Sequence, residues 1–236
     1  MSVVVTMAGE SRRFRRAGFT VPKYRLRVGE HTIFAWAVQS LSWYVEHGHR
    51  LVFVGRADDP GLGEFLDREL EALRFPASEL VVLDRTTAGQ AETALAAAPL
   101  LASDEALVVY NIDTHVRPGA LDGATLEGDG CIPCFPGAGD GWSFVACDGA
   151  GRATAVRKKR RISPHCSVGL YAFRDLDLYR EAYARTRSTD GERYVAALYD
   201  ALIEAGLEIR MQPLAADDVV ALGTPEQAAL AGPISI

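Results

Sequence analysis

Val3-Val4-Val5-Thr6-Met7, followed at once by Ala8-Gly9-Glu10-Ser11-Arg12-Arg13, decides how this chain is read. Five apolar or β-branched residues in a row predict a strand buried on both faces. The small, polar and basic residues after it predict a loop with exposed backbone N–H groups. Arg12, Arg13, Arg15, Arg16 and Lys23 then place five cations within 12 residues. Backbone N–H groups with cations beside them bind phosphates, and the carboxyl end of a first parallel strand is a usual ligand position. A solvated basic loop is the alternative. Neither G-x-x-x-x-G-K-[ST] nor G-x-G-x-x-G is present, so the loop is not a P-loop or a dinucleotide fingerprint.

Outward from this segment, further strand-like runs lie at Leu51 to Gly55, Leu80 to Leu83 and Leu107 to Tyr110. Helical patterns lie between them at Thr32 to Tyr44, Gly63 to Leu73 and Ala91 to Leu101. Apolar strands alternating with helices predict an α/β fold with a largely parallel sheet covered on both faces. After Gly119 the strands are shorter: Cys131 to Phe135, Trp142 to Cys147, Ala153 to Arg157 and Ser167 to Phe173. Two helices, Leu176 to Arg185 and Glu192 to Ala205, precede strands at Glu208 to Pro213 and Val219 to Leu222 and a small helix after Pro225. No repeat or linker interrupts this order. We read residues 1–236 as one domain, with a nucleotide-binding half at 1–118 and a smaller mixed α+β substrate-binding half at 119–236.

The composition narrows the function. Of 236 residues, 48% are hydrophobic and 24% charged, which is globular and not disordered. A net charge of -6 argues against a nucleic-acid partner. No apolar run reaches the ~18 residues of a membrane span, and the N-terminus lacks the basic start of a signal peptide. Four cysteines make no disulfide framework, and Cys131-Ile132-Pro133-Cys134 has no second pair to make a zinc site. A reduced, cytoplasmic protein is expected, with homo-oligomerisation left open.

Met7-Ala8-Gly9-Glu10-Ser11-Arg12-Arg13-Phe14 followed by Pro22-Lys23 resembles the A-G-x-G-x-R…P-K signature of the sugar-phosphate nucleotidyltransferases. Other stretches resemble that family's motifs in the same order: Ala88-Gly89-Gln90-Ala91, its nucleobase loop; Asn111-Ile112-Asp113-Thr114, its metal-binding strand end; Lys158-Lys159 before Ser167-Val168-Gly169-Leu170-Tyr171, its E-K pair and following strand; and Leu222-Gly223-Thr224-Pro225-Glu226, its closing G-T-P-E. The resemblance covers nearly the whole chain. It implies a GT-A-like, Rossmann-like mixed sheet flanked by helices, and Mg2+-dependent transfer of a nucleotidyl group from an NTP to a phosphorylated small molecule, of the type that supplies capsule or other surface polysaccharide.

An acceptor phosphate is already an anion at pH 7, so such a transfer needs charge neutralisation, alignment and a divalent cation more than a side-chain nucleophile. By resemblance, Arg13 holds the departing pyrophosphate and Lys23 neutralises the α-phosphate. Ala8, Gly9, Glu10 and Ser11 line the nucleotide, and Gly89 and Gln90 meet the base. Asp113 ligates Mg2+; a strand-end carboxylate otherwise reads as a turn or cap. Lys158, Lys159, Ser143 and Gly169 line the acceptor. The run Arg157 to Arg161 also reads as a solvated edge strand, and strand alternation leaves open whether Lys158 faces the site or points outward.

Three residues depart from the family pattern. Ser11 replaces its second glycine, which is tolerable where φ is not strongly positive. Lys158 replaces a Glu that contacts sugar hydroxyls, which reverses the charge and points to a more acidic acceptor. Ala221 stands where many members carry a second metal-ligating Asp. Either Asp217 or Asp218 replaces it, or Asp113, phosphates and water suffice. Two competing readings are a nucleotide-binding homologue without turnover, and a GT-A glycosyltransferase, which lacks its D-x-D here because Asn111 precedes Asp113 by two.

Overall fold

The computed structural model describes residues 1–123, 128–187 and 191–236. In chain order its elements are β1 (Ser2–Thr6), α1 (Arg12–Arg16), β2 (Arg27–Val28), β3 (His31–Thr32), α2 (Ile33–Gln39), α3 (Ser42–Glu46), β4 (Arg50–Arg56), α4 (Leu62–Leu73), β5 (Glu79–Leu83), α5 (Gln90–Leu95), β6 (Leu107–Asn111) and β7 (Thr114–Val116). The second half adds β8 (Gly130–Pro136), β9 (Ser143–Cys147), β10 (Ala153–Lys158), β11 (His165–Ser167), β12 (Leu170–Phe173), α6 (Leu176–Arg185), α7 (Val195–Glu204), β13 (Ile209–Pro213), β14 (Val219–Ala221), α8 (Pro225–Ala231) and β15 (Ile234–Ser235).

The main sheet runs β10-β9-β11-β8-β12-β6-β1-β4-β5, with β13 also paired to β8. β6, β1, β4 and β5 are mutually parallel, and β12 joins β6 antiparallel. This is the expected α/β fold. Alternation along β1 explains why both faces are buried. Val3 and Val5 pack with Phe34, Phe53 and Phe65 under α2 and α4, while Val4 packs with Val52, Val109 and Ala91 on the side of α5, α6 and α7. A third, smaller core joins Phe14, Leu26, Ile33, Leu222 and Ala228. It ties the helix after β1 to the end of the chain.

The structure corrects several boundaries. The helix expected over Thr32 to Tyr44 breaks between α2 and α3. There the fully buried Ser40 turns its hydroxyl to accept the Val116 N–H at 2.8 Å. The helix expected to reach Leu101 ends at Leu95 and continues as a 3-10 turn over Ala98–Leu100, where Pro99 has no N–H to continue an α-helix. The strand expected over Ser167 to Phe173 is interrupted at Gly169, φ 85°. The loop after β1 holds α1 and a 3-10 turn at Lys23–Arg25, followed by the unanticipated β2–β3 hairpin.

Candidate active site

β1 delivers the basic loop to the carboxyl edge of the parallel strands. Met7 N still bonds Val54 O at 2.9 Å, and the chain then leaves the sheet. Ser11 sits at φ 55°, in the left-handed region, so the expectation that its φ is not strongly positive is corrected. Its hydroxyl accepts the Lys23 N–H at 2.9 Å. A glycine would relieve the strain there but could not make this bond. Glu10 binds the Arg12 guanidinium at its carboxylate and Arg15 at its carbonyl. A cleft of about 670 Å3 opens here, lined among others by Gly9, Glu10, Arg12, Arg15, Arg25 and Arg56. Ala8 is buried beneath the loop. Arg13 is exposed, and its charge acts on Lys158 and Glu226.

Lys23 reaches across to the end of β6. Its Nζ forms an ion pair with Asp113 Oδ2, both side chains being about one-fifth exposed (19% and 20%). The end of the chain backs this pair. Leu222 N donates to Asp113 O at 2.9 Å, and a Cβ on Gly223 would lie 3.1 Å from Asp113 Oδ2. Segments near residues 23, 113 and 223 therefore meet at one point.

The expected nucleobase loop is fixed by its backbone. Gly89 has φ 142°, and a Cβ there would lie 2.5 Å from Arg193 O. Arg193 N donates to Ala88 O at 2.7 Å and Ala91 N to Arg193 O at 3.0 Å. Gln90 Nε2 donates to Thr6 Oγ1 at 3.1 Å, and Thr6 Oγ1 to Tyr110 O at 3.1 Å. This chain of bonds sets the Gln90 loop against the end of β1.

In the C-terminal half, register pairs Lys158 with Ser143, which is buried. The Lys158 ammonium lies 4.9 Å from the Tyr194 ring centre, a cation–π contact. Burial pushes its pKa down, helped by Lys159 and Arg13; Asp113 and Glu192 oppose this. Lys158 is thus turned inward against Tyr194 rather than out into solvent. β10 ends at Lys158. Lys159 follows at φ 54°, exposed, with its N–H on Trp142 O at 2.8 Å. Strand alternation therefore does not extend over the basic run. Arg157 pairs with Asp200 on α7, and Arg161 caps Gly137 O at 3.1 Å and lies over Phe144. A Cβ on Gly169 would lie 2.0 Å from Asn111 Nδ2, so the glycine makes room for the Asn111 side chain. Glu192 and Tyr194 join this site with no motif in the sequence to announce them.

The metal question turns on oxygen donors. β14 pairs with β7 so that Ala221 opposes Thr114, beside Asp113. Asp218 is ion-paired with Arg117 at 2.6 Å. It lies four residues back from Leu222, roughly 13 Å at ~3.3 Å per residue. Asp217 is exposed on the same turn. Asn111 Oδ1, two residues before Asp113, is buried without a hydrogen-bond partner. Among the described residues, no three His, Cys, Asp or Glu side chains cluster to hold an ion. One carboxylate suits Mg2+ when substrate phosphates and water complete its shell.

His115 is buried in β7, its Nδ1 2.6 Å from Trp36 O. Burial lowers its pKa. Cys131, Cys134 and Cys166 are buried, and burial raises the Cys134 thiol. No helix among the described residues is long and apolar enough to cross a membrane.

A basic loop at the first strand of a parallel sheet, with a Lys–Asp pair at the neighbouring strand end, marks an α/β protein whose charged groups gather at the carboxyl edge of its sheet. Comparison with solved structures carries this further. The nucleoside-diphosphate-sugar pyrophosphorylase from Vibrio cholerae RC9 is 31% identical over 98% of this chain and 99% of its own, with a TM-score of 0.87. The inositol-1-phosphate CTP transferase from T. maritima (17% identity, 96% and 90% covered, TM-score 0.78) shares the fold. So does a protein described as a glucose-1-phosphate thymidylyltransferase from Bacillus anthracis (15%, 100% and 97%, TM-score 0.74). No protein-family model matches, and no curated protein does. The chain belongs to the nucleoside-diphosphate-sugar pyrophosphorylase family of nucleotidyltransferases.

Proposed function

We propose that this protein transfers a nucleoside monophosphate group from an NTP to a phosphorylated small molecule. The observation that carries the reading is the convergence of Lys23, Asp113 and Gly223 at the carboxyl edge of β1 and β6. An oxygen of the acceptor phosphate bonds to the α-phosphorus. The bond from that phosphorus to the oxygen bridging the β-phosphate breaks, and pyrophosphate leaves with that electron pair. Lys23 moves from Asp113 onto the α-phosphate, where charge develops. The Gly9 to Ser11 backbone and Arg13 hold the departing phosphates, and Gln90 and the Gly89 backbone border the base. When bound, Mg2+ would be held by Asp113 and would offset phosphate charge.

Lys158 bears on the acceptor. It is a half-buried ammonium with no carboxylate in hydrogen-bonding distance among the described residues. Leaving a charge uncompensated there costs free energy, and an acidic group on the acceptor removes that cost. The acceptor is accordingly a sugar 1-phosphate or a more acidic relative, serving capsule or other surface polysaccharide in the cytoplasm. Ala221 favours a second reading, nucleotide binding without turnover. Incubating the protein with each NTP, Mg2+ and a panel of phosphorylated acceptors, and measuring pyrophosphate, separates the two. Release with one NTP–acceptor pair supports transfer; NTP binding with no release from any pair supports the second reading.

A further inference from the structure

We infer that Asp59, on the loop after β4, is a positioning residue that holds the Lys23 ammonium at the reacting phosphate. Lys23 sits on a single 3-10 turn of three residues, Lys23–Arg25. One such turn closes only Arg25 N to Pro22 O and Leu26 N to Lys23 O, each at 3.0 Å, and isolated turns of this kind do not hold their shape alone. Contacts from outside the turn hold it. Ser11 Oγ accepts the Lys23 N–H on one side. On the other, both carboxylate oxygens of Asp59 are engaged, by the Tyr24 hydroxyl and by Arg25 Nε at 2.9 and 3.0 Å.

Asp59 is 7% exposed and Tyr24 2%. A carboxylate this buried on a surface loop is costly unless its partners compensate it, and here both partners belong to the Lys23 turn. Arg25 is held further by Pro60 O at 3.0 Å and by the Phe65 ring 4.5 Å away, against which Tyr24 also packs. The two residues after Lys23 are thus pinned to the β4–α4 loop. Lys23 alone projects the other way, to Asp113. Releasing Tyr24 or Arg25 lets the turn rotate and carries the Lys23 backbone with it. An error of about 1 Å at a reacting group costs up to ~100-fold in rate.

The inference rests on the role proposed for Lys23, and the test separates the two. Tyr24→Phe and Asp59→Asn are made alone and in a Lys23→Met background. Pyrophosphate release gives kcat and KM, and thermal melting monitors the fold. Tyr24→Phe, which removes one oxygen, should lower kcat about 3- to 10-fold, and Asp59→Asn about 10- to 100-fold. KM for both substrates should stay within about twofold, and each change should cost less than about twofold more once Lys23 is Met. Equal fold losses in both backgrounds, a loss confined to KM, or an unchanged kcat would overturn the inference alone. Lys23→Met turning over at the parental rate would overturn the role of Lys23 and the inference with it. Should Asp59→Asn fail to fold, Tyr24→Phe decides.

Discussion

Replacing Gly89 with Ala tests why the loop from Ala88 to Ala91 has its shape. The residue lies at φ 142°, ψ -176°, a backbone region that costs an L-residue about 2 kcal/mol. The new methyl would also lie 2.5 Å from Arg193 O and 2.8 Å from Arg193 N. Those atoms are backbone and cannot rotate aside. Relief requires opening the Arg193–Ala88 and Ala91–Arg193 hydrogen bonds, at about 1 kcal/mol each. The sum is about 4 kcal/mol, or roughly 8 to 16 °C in Tm at about 2–4 °C per kcal/mol for a chain this size. Gly9→Ala is the control. Nothing lies within 4 Å of a Cβ at Gly9 and its φ is not positive, so its Tm should move by less than about 2 °C. Differential scanning calorimetry reads both, and NTP titration should show weakened binding for Gly89→Ala. A Gly89→Ala melting point within 2 °C of the parent would refute the argument.

Asp113→Asn keeps the side-chain shape but removes the charge that meets Lys23; it should lower Mg2+-supported turnover at least about 100-fold with the fold intact, while parental activity at low Mg2+ would sink the ligand assignment. Asp218→Asn should leave kcat unchanged, because that carboxylate is committed to Arg117; a loss like that of Asp113→Asn would place it in the metal site after all. Lys158→Glu should shift acceptor preference from glucuronic acid 1-phosphate toward glucose 1-phosphate by about 10-fold or more in kcat/KM, and an unchanged ratio would remove Lys158 from acceptor selection. Burial holds the His115 imidazole below its ordinary value near 6.5. The unfolded chain therefore takes up a proton as pH falls through about 6.5 while the folded protein does not, so stability present above 6.5 is lost on acidification. His115→Gln should flatten urea-denaturation stability between about pH 6.5 and 5.5, and an unchanged slope would exclude this histidine.

The buried run Val3 to Met7 specified its own strand, because five apolar or β-branched residues in a row pack well only where both faces are covered. The basic loop after it, the strand end at Asp113 and the closing Gly223 were legible as short motifs, since each is local. Their meeting was not. Nothing in the spacing of residues 23, 113 and 223 states that β6 lies beside β1, or that β14 folds back on β7; long-range pairing does that. The basic run Arg157 to Arg161 was visible as charge, but its orientations depend on β10 ending at Lys158 and on the left-handed turn at Lys159. Asp59 carried no signal at all, because an aspartate after a strand reads as an ordinary turn until burial shows it bound to Tyr24 and Arg25. The sequence by itself determined the long parallel strands and carried the motifs that resemble the family, since those rest on local pattern. Only the tertiary structure decided which charges face one another, because burial and distance, not residue type, set the energy of a charge.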